Sequence, residues 1–225
     1  MNPAPLIPFF IMVAIVLWVY KYVLKRRRVG SYSANWKRKG SKNSSNSDAI
    51  EQAGSEGEER VKHQLRYLGS EYRIWNGVHL EYDGLSNEFD HIIIGPKGII
   101  HIETKNYSGE LRFNSFGIEQ TKYDSDGNVI EQKNIDDPTG QITMHEMLLE
   151  RVLQNNGVKD CPLKSVLCIA NPRAIINGNP ANSKILVCKD SMLLHHIKEL
   201  PEVIFYDEQY HQKLTETIEK CIRKS

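Results

Sequence analysis

Residues 87–106 read NEFDHIIIGPKGIIHIETKN, and the fold turns on how this stretch is parsed. Two apolar runs, Glu88–Ile94 and Ile99–Lys105, flank Gly95-Pro96-Lys97-Gly98, a strong turn signal. The expectation is an antiparallel hairpin. Its second strand ends in Glu103, Thr104, Lys105 and Asn106, so either the strand end reaches solvent or its charges do chemistry. If Gly95 and Gly98 flank the turn, Ile94 faces Ile99, Ile92 faces His101 and Asp90 faces Glu103. Directly opposed residues share a face, with Cβ atoms roughly 4.5–5.5 Å apart. Two carboxylates so placed repel unless a cation sits between them. Lys105 projects from the same face as Glu103, and Ile100 and Ile102 from the other. A longer loop would turn Asp90 to the opposite face.

Upstream, Glu56–Leu68 has a helical stripe at Val61, Leu65 and Leu68. Projected one turn back, the stripe lands on Glu58 and sets that carboxylate on the inward edge. Tyr72–Glu81 reads as a strand with a kink at Gly77. Downstream, Leu111–Tyr123 and Val129–Lys133 read as a hairpin around Asp124–Asn128. Asp137-Pro138 opens a helix that runs through Leu153. Val166–Ala170 and Ile185–Val187 read as short strands, and Met192–Leu200 and Asp207–Arg223 as helices. The intervening NPRAIINGNPANSK reads as turns without a chemical signal. This order predicts an α/β fold with a mixed sheet flanked by helices.

Leu6–Leu24 is apolar except for Lys21 and matches the ~20 residues that cross a bilayer. Its basic flank, Lys25–Arg28, follows the apolar run rather than preceding it, which opposes a cleaved signal peptide. The expectation is a single transmembrane helix through residues 6–24. By the positive-inside rule its amino terminus lies outside the cell membrane and the body lies on the cytoplasmic side. The serine-rich, polar stretch that follows reads as a flexible tether. Charge divides along the same line: the first 47 residues carry +9 and the rest −8. The body is therefore not a basic nucleic-acid sponge, and nucleic-acid chemistry there would work through metal ions and local patches. Cys161, Cys168, Cys188 and Cys221 form no C-x-x-C pair and read as free, buried thiols.

Paired carboxylates with a lysine make a recognisable toolkit. Hard oxygen ligands suit Mg²⁺ or Mn²⁺, with Asp90 and Glu103 as ligands and Glu58 holding a second ion or a bound water. Lys105 would position the attacking water or stabilise developing charge. Each residue also has a plainer reading: Glu58 as complement to a helix dipole, the others as solvated strand-end charges. His91 and His101 read as packing or hydrogen-bonded residues rather than ligands, and Glu131-Gln132-Lys133 as a decoy on a polar hairpin.

These motifs also resemble a family. Gly54, Gly57 and Glu58, then NEFDHIIIG around Asp90, then GIIHIETKNYSG around Glu103 and Lys105 are similar to the nuclease-related domain (NERD). That family is related to the restriction-endonuclease-like superfamily with its D-(x)n-E-x-K signature. DDPTGQ at Asp136–Gln141 resembles the family's Pro-x-x-Gln element, although many members have Asn where Asp137 stands. The resemblance implies a restriction-endonuclease-like core with Glu58, Asp90, Glu103 and Lys105 as the active-site set and Gln141 as an accessory. The resemblance covers the core at 54–170; with the apolar and polar segments before it, the chain divides into an anchor at 1–28, a linker at 29–53, that core and a C-terminal αβ extension at 171–225 packed on the core. The expected activity is Mg²⁺-dependent cleavage of nucleic acid, DNA ahead of RNA. The alternative is a catalytically silent, membrane-tethered nucleic-acid-binding or scaffold module.

Overall fold

The computed structural model describes residues 44–114, 117–158, 161–178 and 184–223. Its elements are α1 (Ser44–Leu65), β1 (Arg73–Tyr82), β2 (Leu85–Gly95), β3 (Gly98–Lys105), β4 (Gly109–Asn114), β5 (Gly117–Tyr123) and β6 (Val129–Ile135). They continue with α2 (Thr139–Asn155), β7 (Leu163–Ile169), β8 (Ala174–Asn177), β9 (Leu186–Lys189), α3 (Asp190–Glu199) and α4 (Glu208–Glu219). The expected span at Leu6–Leu24 lies outside the described residues. Among those described, no helix is long and apolar enough to cross a membrane.

The opening hairpin forms in the expected register: Gly95 pairs with Gly98, Ile94 with Ile99 and Ile92 with His101. β3 then pairs in parallel with β7, and β7 with β9. The result is a five-stranded mixed sheet in the order β1-β2-β3-β7-β9. A four-stranded sheet, β6-β5-β4-β8, stands beside it, so the fold has two mixed sheets rather than one. The stretch expected as a single long strand from Leu111 is two strands, ending at Asn114 and starting at Gly117, and these two residues pair with each other. Ala174–Asn177, read as turn, is β8 and pairs in parallel with β4. With only four residues, it shows no alternation for a sequence reading to find.

Both faces of the large sheet are covered. Ile93, Ile100 and Ile102 pack under Val61 and Leu65 of α1 and Leu193 and Ile197 of α3. Ile92, Ile94 and Ile99 pack under Leu148, Leu149 and Val152 of α2 and Leu214 and Ile218 of α4. Further along that second face, Leu167 and Ile169 meet Leu111, Phe113 and Ile118 of the small sheet and Ile142 of α2. Each such isoleucine contributes about 1.5–3 kcal/mol of burial. The apolar run of β3 is thus apolar because it is central, not because one face is wet.

Helix α1 reaches back to Ser44, into the stretch expected as a tether. Residues 48–52 are exposed; this part of the helix buries no stripe and extends a turn nucleated by the packed residues further on. The four cysteines are free, with Cys168, Cys188 and Cys221 buried.

The register depends on Gly98, whose φ is +88° and whose added Cβ would lie 2.4 Å from the Pro162 carbonyl oxygen. Gly127 has a similar φ of +83° but open space around it. Gly127→Ala is expected to cost about 1–2 kcal/mol from the left-handed conformation alone. Gly98→Ala should cost clearly more, as read from urea-denaturation midpoints; equal costs would mean the β3–β7 approach has room to spare.

Candidate active site

The β2–β3 ladder runs as far as His91 and Ile102. One step beyond, Asp90 Oδ2 accepts the Thr104 N–H at 2.7 Å, so a side chain takes over from the backbone. On the opposite flank, Gly77 stands level with Asp90 between the pairs Asn76–His91 and Val78–Phe89, with φ at +60°. The two strands diverge there, and the β3 carboxylate comes to lie between diverging strands. Lys105 Nζ donates to Glu103 Oε1 at 2.7 Å and to Gln141 Oε1, in the first turn of α2, at 3.4 Å.

Helix α1 is brought against this point by Gly57. A Cβ there would meet Asn106 Cβ at 3.1 Å and Thr104 Cγ2 and Ala170 Cβ at 3.5 Å. Asn106 Nδ2 pins the helix further by donating to the Ala53 carbonyl at 2.6 Å. The buried position on this turn is therefore Gly57, one turn before Val61, while Glu58 is exposed rather than inward. Glu58 lines a polar cavity with Asp90, Glu59, Lys62, Asn76, Gly77 and His91.

The charges feel one another. Burial first, and then the Asp90 carboxylate, push Glu103 from the ordinary 4.5 up to about 7. Burial raises Asp90 as well, against the opposing pull of the Thr104 N–H and Lys105. Burial and then Asp90 raise Glu58. Burial pulls the Lys105 ammonium down, but the Glu103 carboxylate outweighs it and the net shift is upward. Glu58, Asp90, Glu103 and Lys105 thus share one electrostatic neighbourhood, and Gln141 touches it through Lys105. Mutually repelling carboxyls of this kind suit a cation. Glu131 and Lys133, the decoy pair, instead form exposed ion pairs on β6.

Glu103 is only 1% exposed, and sequence reasoning missed what lies behind it. His145, on α2 one turn after Gln141, places Nδ1 3.6 Å from Glu103 Oε2 and 3.1 Å from His101 Nε2. His101 Nδ1 faces the Ser165 Oγ at 3.3 Å. Burial holds His145 down at about 4 and His101 below its usual range, so both imidazoles are neutral. Among the described residues, His101, Glu103 and His145 bring one ligand atom each within 4.8 Å of one another, a set that fits a divalent metal. The legible signal was the alternation His101, Glu103, Lys105 on one face of a strand, with Gln141 and His145 four apart on one helix face.

A carboxyl raised by folding stabilises the native state below its unfolded pKa and loses that contribution as pH rises through its folded pKa. In chelator, the Glu103 contribution to stability is therefore expected to fall by about 1–3 kcal/mol as pH rises from 4.5 to about 7, while the buried histidines His91, His101 and His145 contribute in the opposite sense. The difference between wild type and Glu103→Gln isolates the Glu103 contribution, and thermal unfolding of both chains scanned against pH would measure it.

A family profile described as nuclease-related domain (NERD) matches residues 53–170. Among curated proteins and among solved structures, nothing matches. The profile spans Glu58, Asp90, Glu103, Lys105 and Gln141, the β3 strand end and the start of α2. Matching more than half of the chain, it shows that the protein belongs to the nuclease-related domain family.

Proposed function

We propose that this protein is a membrane-anchored, Mg²⁺- or Mn²⁺-dependent nuclease, held through residues 6–24 with its body on the cytoplasmic side and acting on DNA ahead of RNA. The observation that carries this reading is the meeting of Glu58, Asp90, Glu103 and Lys105 where β2 and β3 part, with all three carboxyls raised in pKa. Family membership supports it, as does a restriction-endonuclease-like reading of the core sheet.

Asp90 and Glu103, with Glu58 at the rim, would hold the ion. When bound, such an ion neutralises charge on a phosphoryl oxygen and acidifies water. The chain's own contribution is positional. Lys105, fixed between Glu103 Oε1 and Gln141 Oε1, holds an ammonium where an attacking water or a developing negative charge would sit. Gln141 keeps that ammonium from swinging out to solvent. The −8 charge of the body supports a second reading, a catalytically silent, membrane-tethered nucleic-acid-binding or scaffold module, since phosphate contact normally draws on Lys and Arg.

The test is cleavage of single- and double-stranded DNA and of RNA by the full-length chain in detergent, with Mg²⁺, with Mn²⁺ and with chelator. Lys105→Ala is expected to lower the rate about 100- to 1000-fold, and chelator or Glu103→Ala to abolish it. Cleavage that survives both substitutions would sink the site assignment. A folded, ion-loaded chain that binds but never cuts would favour the silent module.

A further inference from the structure

Behind the cleft, the structure holds a buried polar cluster of which the proposed cleavage uses only Glu103. His101 is 0% exposed, Glu103 1%, His145 3% and Ser165 1%. Phe89 closes it with an apolar wall, its ring centroid 4.4 Å from that of His145 and 5.3 Å from that of His101. His101 Nε2 and His145 Nδ1, 3.1 Å apart, satisfy each other with a single shared proton. That leaves Glu103 Oε2 buried and without a hydrogen-bond partner among the described residues. It lies 3.6 Å and 4.0 Å from the two nitrogens, too far to accept a proton from either. An orphaned buried acceptor keeps its full desolvation penalty with nothing to offset it. A single positive centre between the three atoms would satisfy all of them at once.

We propose that His101 Nε2, His145 Nδ1 and Glu103 Oε2 form a second cation site, for an imidazole-preferring divalent transition ion such as Zn²⁺ rather than Mg²⁺. Glu103 bridges the two sites, with Oε1 toward Lys105 and the cleft and Oε2 toward the histidines. Tetrahedral zinc with bonds of about 2.0–2.1 Å sets its ligands about 3.3 Å apart. The observed separations of 3.1, 3.6 and 4.0 Å bracket that spacing. Two nitrogen donors suit such an ion, whereas Mg²⁺ prefers oxygen ligands and keeps several waters, a poor match for a pair of imidazoles. Ser165 supplies the outer partner that ligating histidines normally have: with Oγ accepting from Nδ1–H, the Nε2 lone pair is left for the ion.

Co²⁺ is the probe, because its visible absorption reports nitrogen ligation and low coordination number independently of any cleavage. The full-length chain, stripped by chelator and titrated with Co²⁺ in large excess of Mg²⁺, should take up one tight equivalent with an intense visible band that Zn²⁺ bleaches. Asp90→Asn, at a residue that supplies no ligand to this site, should keep that band. His145→Gln should abolish it, and Ser165→Ala should weaken Co²⁺ binding about 10- to 100-fold. A wild-type chain with no such band overturns the proposal however the variants fold. A band lost in Asp90→Asn but kept in His145→Gln overturns it too, by putting the ion in the cleft. Failure of the chain to cleave nucleic acid leaves each of these outcomes unchanged.

Discussion

A carboxylate at 1% exposure, in the middle of a five-stranded sheet, is the constraint to which the rest of this structure answers. Burying an ionised acid costs several kcal/mol unless partners replace the water it loses. Glu103 has one such partner directly, the Lys105 ammonium at 2.7 Å. A second acid, Asp90, sits close enough to raise its pKa further. Such an arrangement is poor for folding, and it persists because apolar packing on both sheet faces over-determines the strand that carries it.

That packing also explains where the cleft lies. β3 is paired along its whole length to β7, from Ile99–Leu163 to Lys105–Ile169, while β2 leaves it at His91. One edge of the strand end is therefore fixed and the other is open, and α1 fills the opening only as closely as Gly57 permits. The small sheet and the first turn of α2 close the side beyond, with Ile142 in the shared core and Gln141 turned to Lys105.

Much of this was legible from the hairpin alone. The two-residue turn at Pro96-Lys97 fixed the pairing as far as His91 and Ile102, and Asp90 and Glu103 are the next residues beyond its open end. Less legible was anything set by non-local partners. The isoleucines on both faces of β3 obey no alternation of burial, so the face that looked solvated is buried under α2, with Glu103 on it. Glu58 was placed inward because the stripe gives no way to choose between the third and fourth residue back; a glycine, silent in a hydrophobic pattern, holds the inward place. His145 joins the cluster across a sequence gap of 44 residues, and only the parallel β3–β7 sheet and the packing of α2 over it create that contact.

The hydrogen bond from the Thr104 amide to Asp90 Oδ2 has a chemical corollary. It divides the carboxylate into an oxygen committed to the peptide backbone and an oxygen left for the cleft, so Asp90 is built to ligate through a single atom. An asparagine in its place would keep its amide oxygen on Thr104 and turn its NH₂ toward the cleft. The isosteric change would then do more than remove a charge: it would aim two donors at the point where an electron pair is required.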